Sequence, residues 1–305
     1  MNGLILLTFC PLIFASNRRR VPIHWSERDN NPMITTSIVS QQTTGGFHFT
    51  GDLYLGFATV GAIQVPICDS RAYIAIRLGD DATTDELPIE CWTTSTNESF
   101  ERQSMVGKIS LDPTEWFYRY LVSFLITPYE LIIQPSDPAA ECPEQFRLVD
   151  VHMDETPWGW YIDSWDDLRI QINTFYKFKL PRREYRDFVG VLFETFQELD
   201  RVISLAMGEN GNRITIPSHC DIEELDDILP ILSFTVLEST GAGDLHHLEF
   251  TARDYLRREI DGSCSLDISE SRDESIAIGS PLFRKYSVYF APSRIGICLP
   301  STIAD

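Results

Sequence analysis

Asp150, His152 and Asp154 alternate within the run FRLVDVHMDE. If 146–153 is one strand, its two-residue period sets all three side chains on the same side. Carboxylates flanking an imidazole fix its tautomer and orientation, or join it as ligands of a metal ion. His219 and Cys220 would add ligands from the end of another strand. A solvated strand face beside an acidic loop accounts for the same spacing. His246-His247, near Asp244 and Glu249, forms a second cluster of this kind. Neither cluster has the helical HExxH arrangement that sets a base beside zinc.

The segment 154–167 places Trp158, Trp160 and Trp165 among Asp154, Glu155, Asp163, Asp166 and Asp167. Paired carboxylates supply the acid and base of glycoside hydrolysis, and indole faces stack on sugar rings. With 45 acidic residues in 305, however, acids beside tryptophan carry little information. The catalytic candidates are therefore Asp150, His152, Asp154 and Asp163. The absence of a GxSxG motif weakens a serine-nucleophile reading, and with no P-loop or dinucleotide glycine pattern no cofactor is expected.

Charge offers a sharper contrast. The formal net charge is -20, from 25 basic and 45 acidic residues. A field of that sign repels nucleic-acid phosphates and anionic membranes. Yet Lys177, Lys179, Arg182, Arg183 and Arg186 crowd five positive charges into 177–186. This cluster is the candidate interaction site. It either meets the acidic segment 163–167 within the chain or grips an acidic surface of another copy or another protein, or a phosphate.

The elements that must position these residues form an α+β set. Residues 181–208 carry apolar positions at three-and-four spacing, from Tyr185 and Phe188 through Leu192, Phe196 and Leu199 to Ile203. Pro181 suits the start of this helix and Gly208 its end. Asp112-Pro113-Thr114-Glu115 opens a second helix, with Trp116, Phe117, Tyr120, Leu121, Phe124 and Leu125 on its stripe and Pro128 at its end. Strands are expected at 71–78, 129–135, 146–153, 168–172, 231–238, 286–290 and 294–299, and two or three short ones within 47–67. Short helices are expected at 221–229 and 251–261. The predicted fold is a mixed or mainly antiparallel sheet packed against two long aromatic-rich helices.

Residues 3–15 are apolar apart from Thr8 and are followed by a polar, irregular stretch over 16–46. The expected organisation is an N-terminal apolar segment and polar arm, 1–46, then one α+β domain, 47–305, with a weak subdivision near 135–145. The apolar segment is too short for a comfortable membrane span and lacks a basic residue before it, so a buried N-terminal element is preferred to a cleaved signal. Seven cysteines without a CxxC pair argue against a zinc finger or an iron–sulfur cluster. A retained N-terminus favours seven reduced thiols and an intracellular or particle-associated protein; cleavage leaves six cysteines for disulfides and Asn97 as a glycan site.

The functional expectation is a non-enzymatic structural or protein-binding subunit of an assembly. Its partners would be copies of itself or another protein, with no nucleic acid and no stable membrane span. The alternative is a hydrolase using the acids of 154–167 or a metal near His152.

Overall fold

The computed structural model describes residues 19–25, 32–40, 48–56, 72–78, 85–89, 105–110, 123–133, 135–151, 153–156, 159–163, 169–172, 178–199, 204–208, 211–216, 220–239, 244–271, 275–291 and 294–300. Four sheets dominate them. The largest has 11 strands, nine of them in the order Asp85–Ile89, Ala72–Leu78, Pro32–Ser40, Arg19–Trp25, Glu130–Ile133, Phe124–Ile126, Val288–Ala291, Arg294–Pro300 and Phe146–Val151. His48–Gly56 pairs with Pro32–Ser40 and leads on to Met105–Ser110. Strands from the beginning, middle and end of the chain thus lie side by side.

A 6-stranded sheet runs Met153–Thr156, Gly159–Asp163, Arg169–Ile172, Ile276–Ile278, Phe178–Leu180, Ile268–Glu270. Arg169–Ile172 and Ile276–Ile278 pair in parallel, as do Phe178–Leu180 and Ile268–Glu270. Apart from these two pairs and the parallel link between His48–Gly56 and Met105–Ser110, the strand pairings are antiparallel. The remaining strands form a 4-stranded sheet and the hairpin Leu232–Leu237/Leu245–Phe250.

The mixed, mainly antiparallel sheet agrees with the sequence, but the second long helix does not. Among the described residues only Arg182–Glu198 reaches seven residues in a helix, with 17. The tail of the expected 112–127 helix, Phe124–Ile126, is a strand whose three residues are all buried. It lies between Glu130–Ile133 and Val288–Ala291. A strand covered on both faces is a continuous apolar run, and its pattern does not distinguish it from a buried helix. Residues 111–122 lie outside the described set.

The long helix is also shorter than its apolar stripe. It stops at Glu198, and Ser204–Gly208 folds back as a strand on Gly211–Ile216, with Gly208 opposite Gly211. The expected 251–261 helix is likewise cut to Ala252–Tyr255. Its start is as read, with the Thr251 N–H donating to Asp254 Oδ2 at 2.9 Å. Leu256–Arg258 then pairs with Cys264–Leu266 around a turn where Gly262 takes φ 81°, a value that side chains resist. The stretch 16–46, expected to be irregular, holds the strands Arg19–Trp25 and Pro32–Ser40.

The helix buries Leu192 and Phe196, and partly buries Phe188 edge-on against the Tyr255 ring at 5.4 Å. Below lies an aromatic core in which Phe250 meets Phe178, Phe234 and Tyr286. Two disulfides pin this framework, Cys142–Cys298 and Cys220–Cys264. These four cysteines are therefore not the reduced thiols expected for a retained N-terminus.

Two tyrosines in this core give it an alkaline limit. The Tyr255 hydroxyl donates to the Pro230 carbonyl at 2.8 Å; burial, then the charges of Asp226 and Asp254, push its pKa well above the ordinary 10. Burial pushes Tyr286 up to about 12 against the lowering effect of its hydrogen bond with Glu249. The neutral phenols favour the folded state. Their contribution is complete below pH 10 and is lost as pH rises through the folded values near 12 and above. Denaturant melts on either side of pH 10 should show this decline, and Tyr286→Phe should flatten it. A profile unchanged by that substitution would remove Tyr286 as its source.

Candidate interaction surface

Asp150 and Asp154 do not share one strand face. Asp150 lies in Phe146–Val151, part of the largest sheet, whereas Asp154 lies in Met153–Thr156, which starts the 6-stranded one. Asp150 accepts a hydrogen bond from Arg294 Nε at 2.6 Å, and that guanidinium also lies over the Tyr289 ring. Asp163 stands opposite Arg169 in the strand register. His152, Trp158, Trp165 and His219 lie outside the described residues. Among the described residues, no three His, Cys, Asp or Glu side chains converge in a metal-binding arrangement.

The His246-His247 pair is split by strand alternation, with His246 buried and His247 exposed. His246 Nε2 lies 2.8 Å from Glu238 Oε2, and Arg147 Nη2 donates to the same oxygen at 3.2 Å. A backbone bridge joins Val151 to Glu238, and the Ser239 N–H donates to the Asp150 carbonyl at 2.7 Å. The cluster ties the Leu232–Leu237/Leu245–Phe250 hairpin to strand Phe146–Val151. Sequence reading missed Glu238, since 91 residues separate it from Arg147 and no local pattern joins them.

An open depression of about 610 Å³ lies between Cys220–Asp221 and Arg258–Gly262. Its polar groups serve the fold. Arg258 donates to the Cys220 carbonyl at 2.9 Å. Asp221 caps the Ile222–Asp226 helix, and hydrogen bonds from Glu224 and Glu223 hold its carboxyl below the usual carboxylate range. Cys220 is spent in a disulfide.

The basic cluster is different because its three arginines are exposed. Lys177 is outside the described residues, and Lys179 lies in Phe178–Leu180. Arg182, Arg183 and Arg186 are exposed on the first turns of the long helix. Arg182 reaches Glu270 at 3.4 Å and Arg183 reaches Asp187 at 3.9 Å, and residues 164–168 lie outside the described residues. Pairs this exposed contribute about 0–1 kcal/mol each.

The charge order also opposes the helix dipole. Positive residues lead, Glu194 and Glu198 trail, and no basic residue occupies the last turn. Each misplaced charge costs about 0.3–1 kcal/mol at low ionic strength. Arg182/Arg186 and Glu194/Glu198 add like-charge repulsion at four-residue spacing. Glu184 in the first turn and the weak Arg182–Glu270 and Arg183–Asp187 pairs offset part of this cost.

No family model and no curated protein matches the chain. Solved structures do. The crystal structure of basic 7S globulin from soybean aligns with a TM-score of 0.60 at 12% identity, covering 94% of this chain and 97% of that one. Conglutin gamma, a basic 7S globulin from lupine seeds, aligns with a TM-score of 0.60 at 12% identity over 93% and 95%. The fold is that of these globulins over nearly its full length. Those two proteins are described as basic, whereas this chain carries -20, so the charge pattern is its own. Among the described residues no helix is long and apolar enough to cross a membrane.

Proposed function

We propose that the protein is a non-catalytic, structural or protein-binding subunit that associates through the charged outer face of the Arg182–Glu198 helix. The observation that carries this reading is the outward presentation of Arg182, Arg183 and Arg186 in a chain of net charge -20. Like-charged subunits repel, so specific association requires a local complement of opposite sign. The likeness to the globulins supplies a precedent for the fold and no partner. The two disulfides support maturation in an oxidising compartment.

Reversing Arg182, Arg183 and Arg186 together should weaken association and reduce its salt dependence. The monomer should stay folded, because exposed charges contribute little to stability. Sedimentation velocity at several salt concentrations, with circular dichroism as the folding control, reads both effects. A wild type that stays monomeric and captures no acidic protein at high micromolar concentration would refute the assignment.

A further inference from the structure

We infer that the partner of this surface is a second copy of the same chain, its Arg182–Glu198 helix lying antiparallel to the first across a two-fold axis at Gly190. The inference rests on the proposed assembly role and specifies its interface. Gly190 is the middle residue of the 17-residue helix, and it is exposed. A Cβ there would meet nothing within 4 Å, so the protein's own packing does not require glycine. Glycine inside a helix is nonetheless destabilising relative to alanine, and its recurrent use is to let another backbone approach closely. Arg183, Asp187, Gly190, Glu194 and Gln197 follow at alternating four- and three-residue steps and so share one polar face of the helix, with Gly190 at its centre.

The charges on either side of Gly190 are self-complementary. Arg186 and Glu194 lie four residues on opposite sides of it. In an antiparallel pair, positions equidistant from the axis meet at the same height, so Arg186 of each copy comes level with Glu194 of the other. An isologous contact makes this exchange twice. Arg183 is one turn farther out, within reach of the partner's Glu194 and Glu198. Among the described residues, Arg186, Glu194 and Glu198 have no ion pair within the chain. The partner's dipole, running the opposite way, also reverses the unfavourable end charges.

Two helices of about 25 Å bury less than a stable interface needs, so flanking apolar surface must contribute. Val191 is 47% exposed, one turn from Phe188. Elsewhere among the described residues Ile231 is also exposed, at 56%. The expected complex is a reversible, salt-sensitive dimer.

Sedimentation of the full chain at low and high salt tests the geometry with four proteins. Wild type should dimerise at low salt and dissociate at high salt. Gly190→Trp should remain folded, given the open space at that Cβ, and be monomeric. Arg186→Glu and Glu194→Arg should each raise the dimer dissociation constant about tenfold or more. An equimolar mixture of these two variants should recover dimer, because in the heterodimer both level pairs again have opposite charge. A wild type that is monomeric at high micromolar concentration in low salt would overturn self-association itself. A wild type that dimerises while Gly190→Trp still dimerises, or while the mixture fails to recover, would overturn this interface and leave the assembly role standing.

Discussion

Replacing Cys142 and Cys298 together by alanine should be the costlier of the two disulfide deletions. The bridge spans a sequence separation of 156, against 44 for Cys220–Cys264. In the chain-entropy account these loops correspond to about 5 and about 4 kcal/mol, with typical measured values of about 2–4. The difference of about 1 kcal/mol is the firmer expectation, since it depends only on the ratio of loop lengths. Cys298 lies in Arg294–Pro300, which is already held by strand pairings on both sides, so the deleted protein should still reach the same fold. Urea melts of both double-alanine proteins at a common pH give the comparison. A Cys220/Cys264 deletion that costs more would show that local packing, and not loop closure, governs these bridges.

Phe196→Ala should lower stability by about 3–5 kcal/mol, the range for deleting a fully buried ring. Phe196 is 1% exposed, on the helix face that packs against Phe178–Leu180 and Ile268–Glu270. Leu192, one turn earlier, is the only other fully buried residue of the helix. These two side chains anchor the helix, with Tyr185, Phe188 and Val189 packed more shallowly beside them, and loss of the ring leaves a void. Phe196→Leu, which keeps most of the apolar volume, should cost less. A loss below about 1 kcal/mol on Phe196→Ala would contradict this packing.

Much of the sheet was legible because its strands carry local signals. Ile132, Val149, Val151, Ile170, Ile172, Phe234, Val236 and Ile297 sit in short apolar or alternating runs bounded by breakers, and all are buried. The errors share one physical cause, in that competing structures satisfy the same local pattern. Phe124–Ile126 is apolar throughout, and only its two strand neighbours decide that it is extended. Leu199 continues a helical stripe, yet Asn210-Gly211, a hairpin signal, draws Ser204–Gly208 into a sheet. Asp261-Gly262 does the same for Leu256–Arg258. Val21, Ile23 and Trp25 alternate too, but Pro22 interrupts them and Pro32 follows, so the same segment carries strand and loop signals at once.

The candidate site was legible in part. The basic cluster stood out as a departure from composition, and its Arg residues were found on an exposed helix. That the same helix carries a complementary acidic end became visible only once its length was fixed at 17 residues. The His246–Glu238–Arg147 contact was beyond local reading altogether.

The strand order bears on how the chain is made. Phe124–Ile126 has Glu130–Ile133 on one side, available almost at once, and Val288–Ala291 on the other. A ribosome adding 5–20 residues per second takes roughly 8–32 s to travel from the first of these strands to the last. Throughout that interval a wholly apolar strand has an open edge, the form in which nascent chains aggregate. The final strand, Arg294–Pro300, then receives Phe146–Val151 and the sulfur of Cys142. The nascent chain therefore needs shelter until these late strands emerge, and a nonsense mutation just ahead of Arg294 would leave the edges of Val288–Ala291 and Phe146–Val151 that face Arg294–Pro300 unpaired for good.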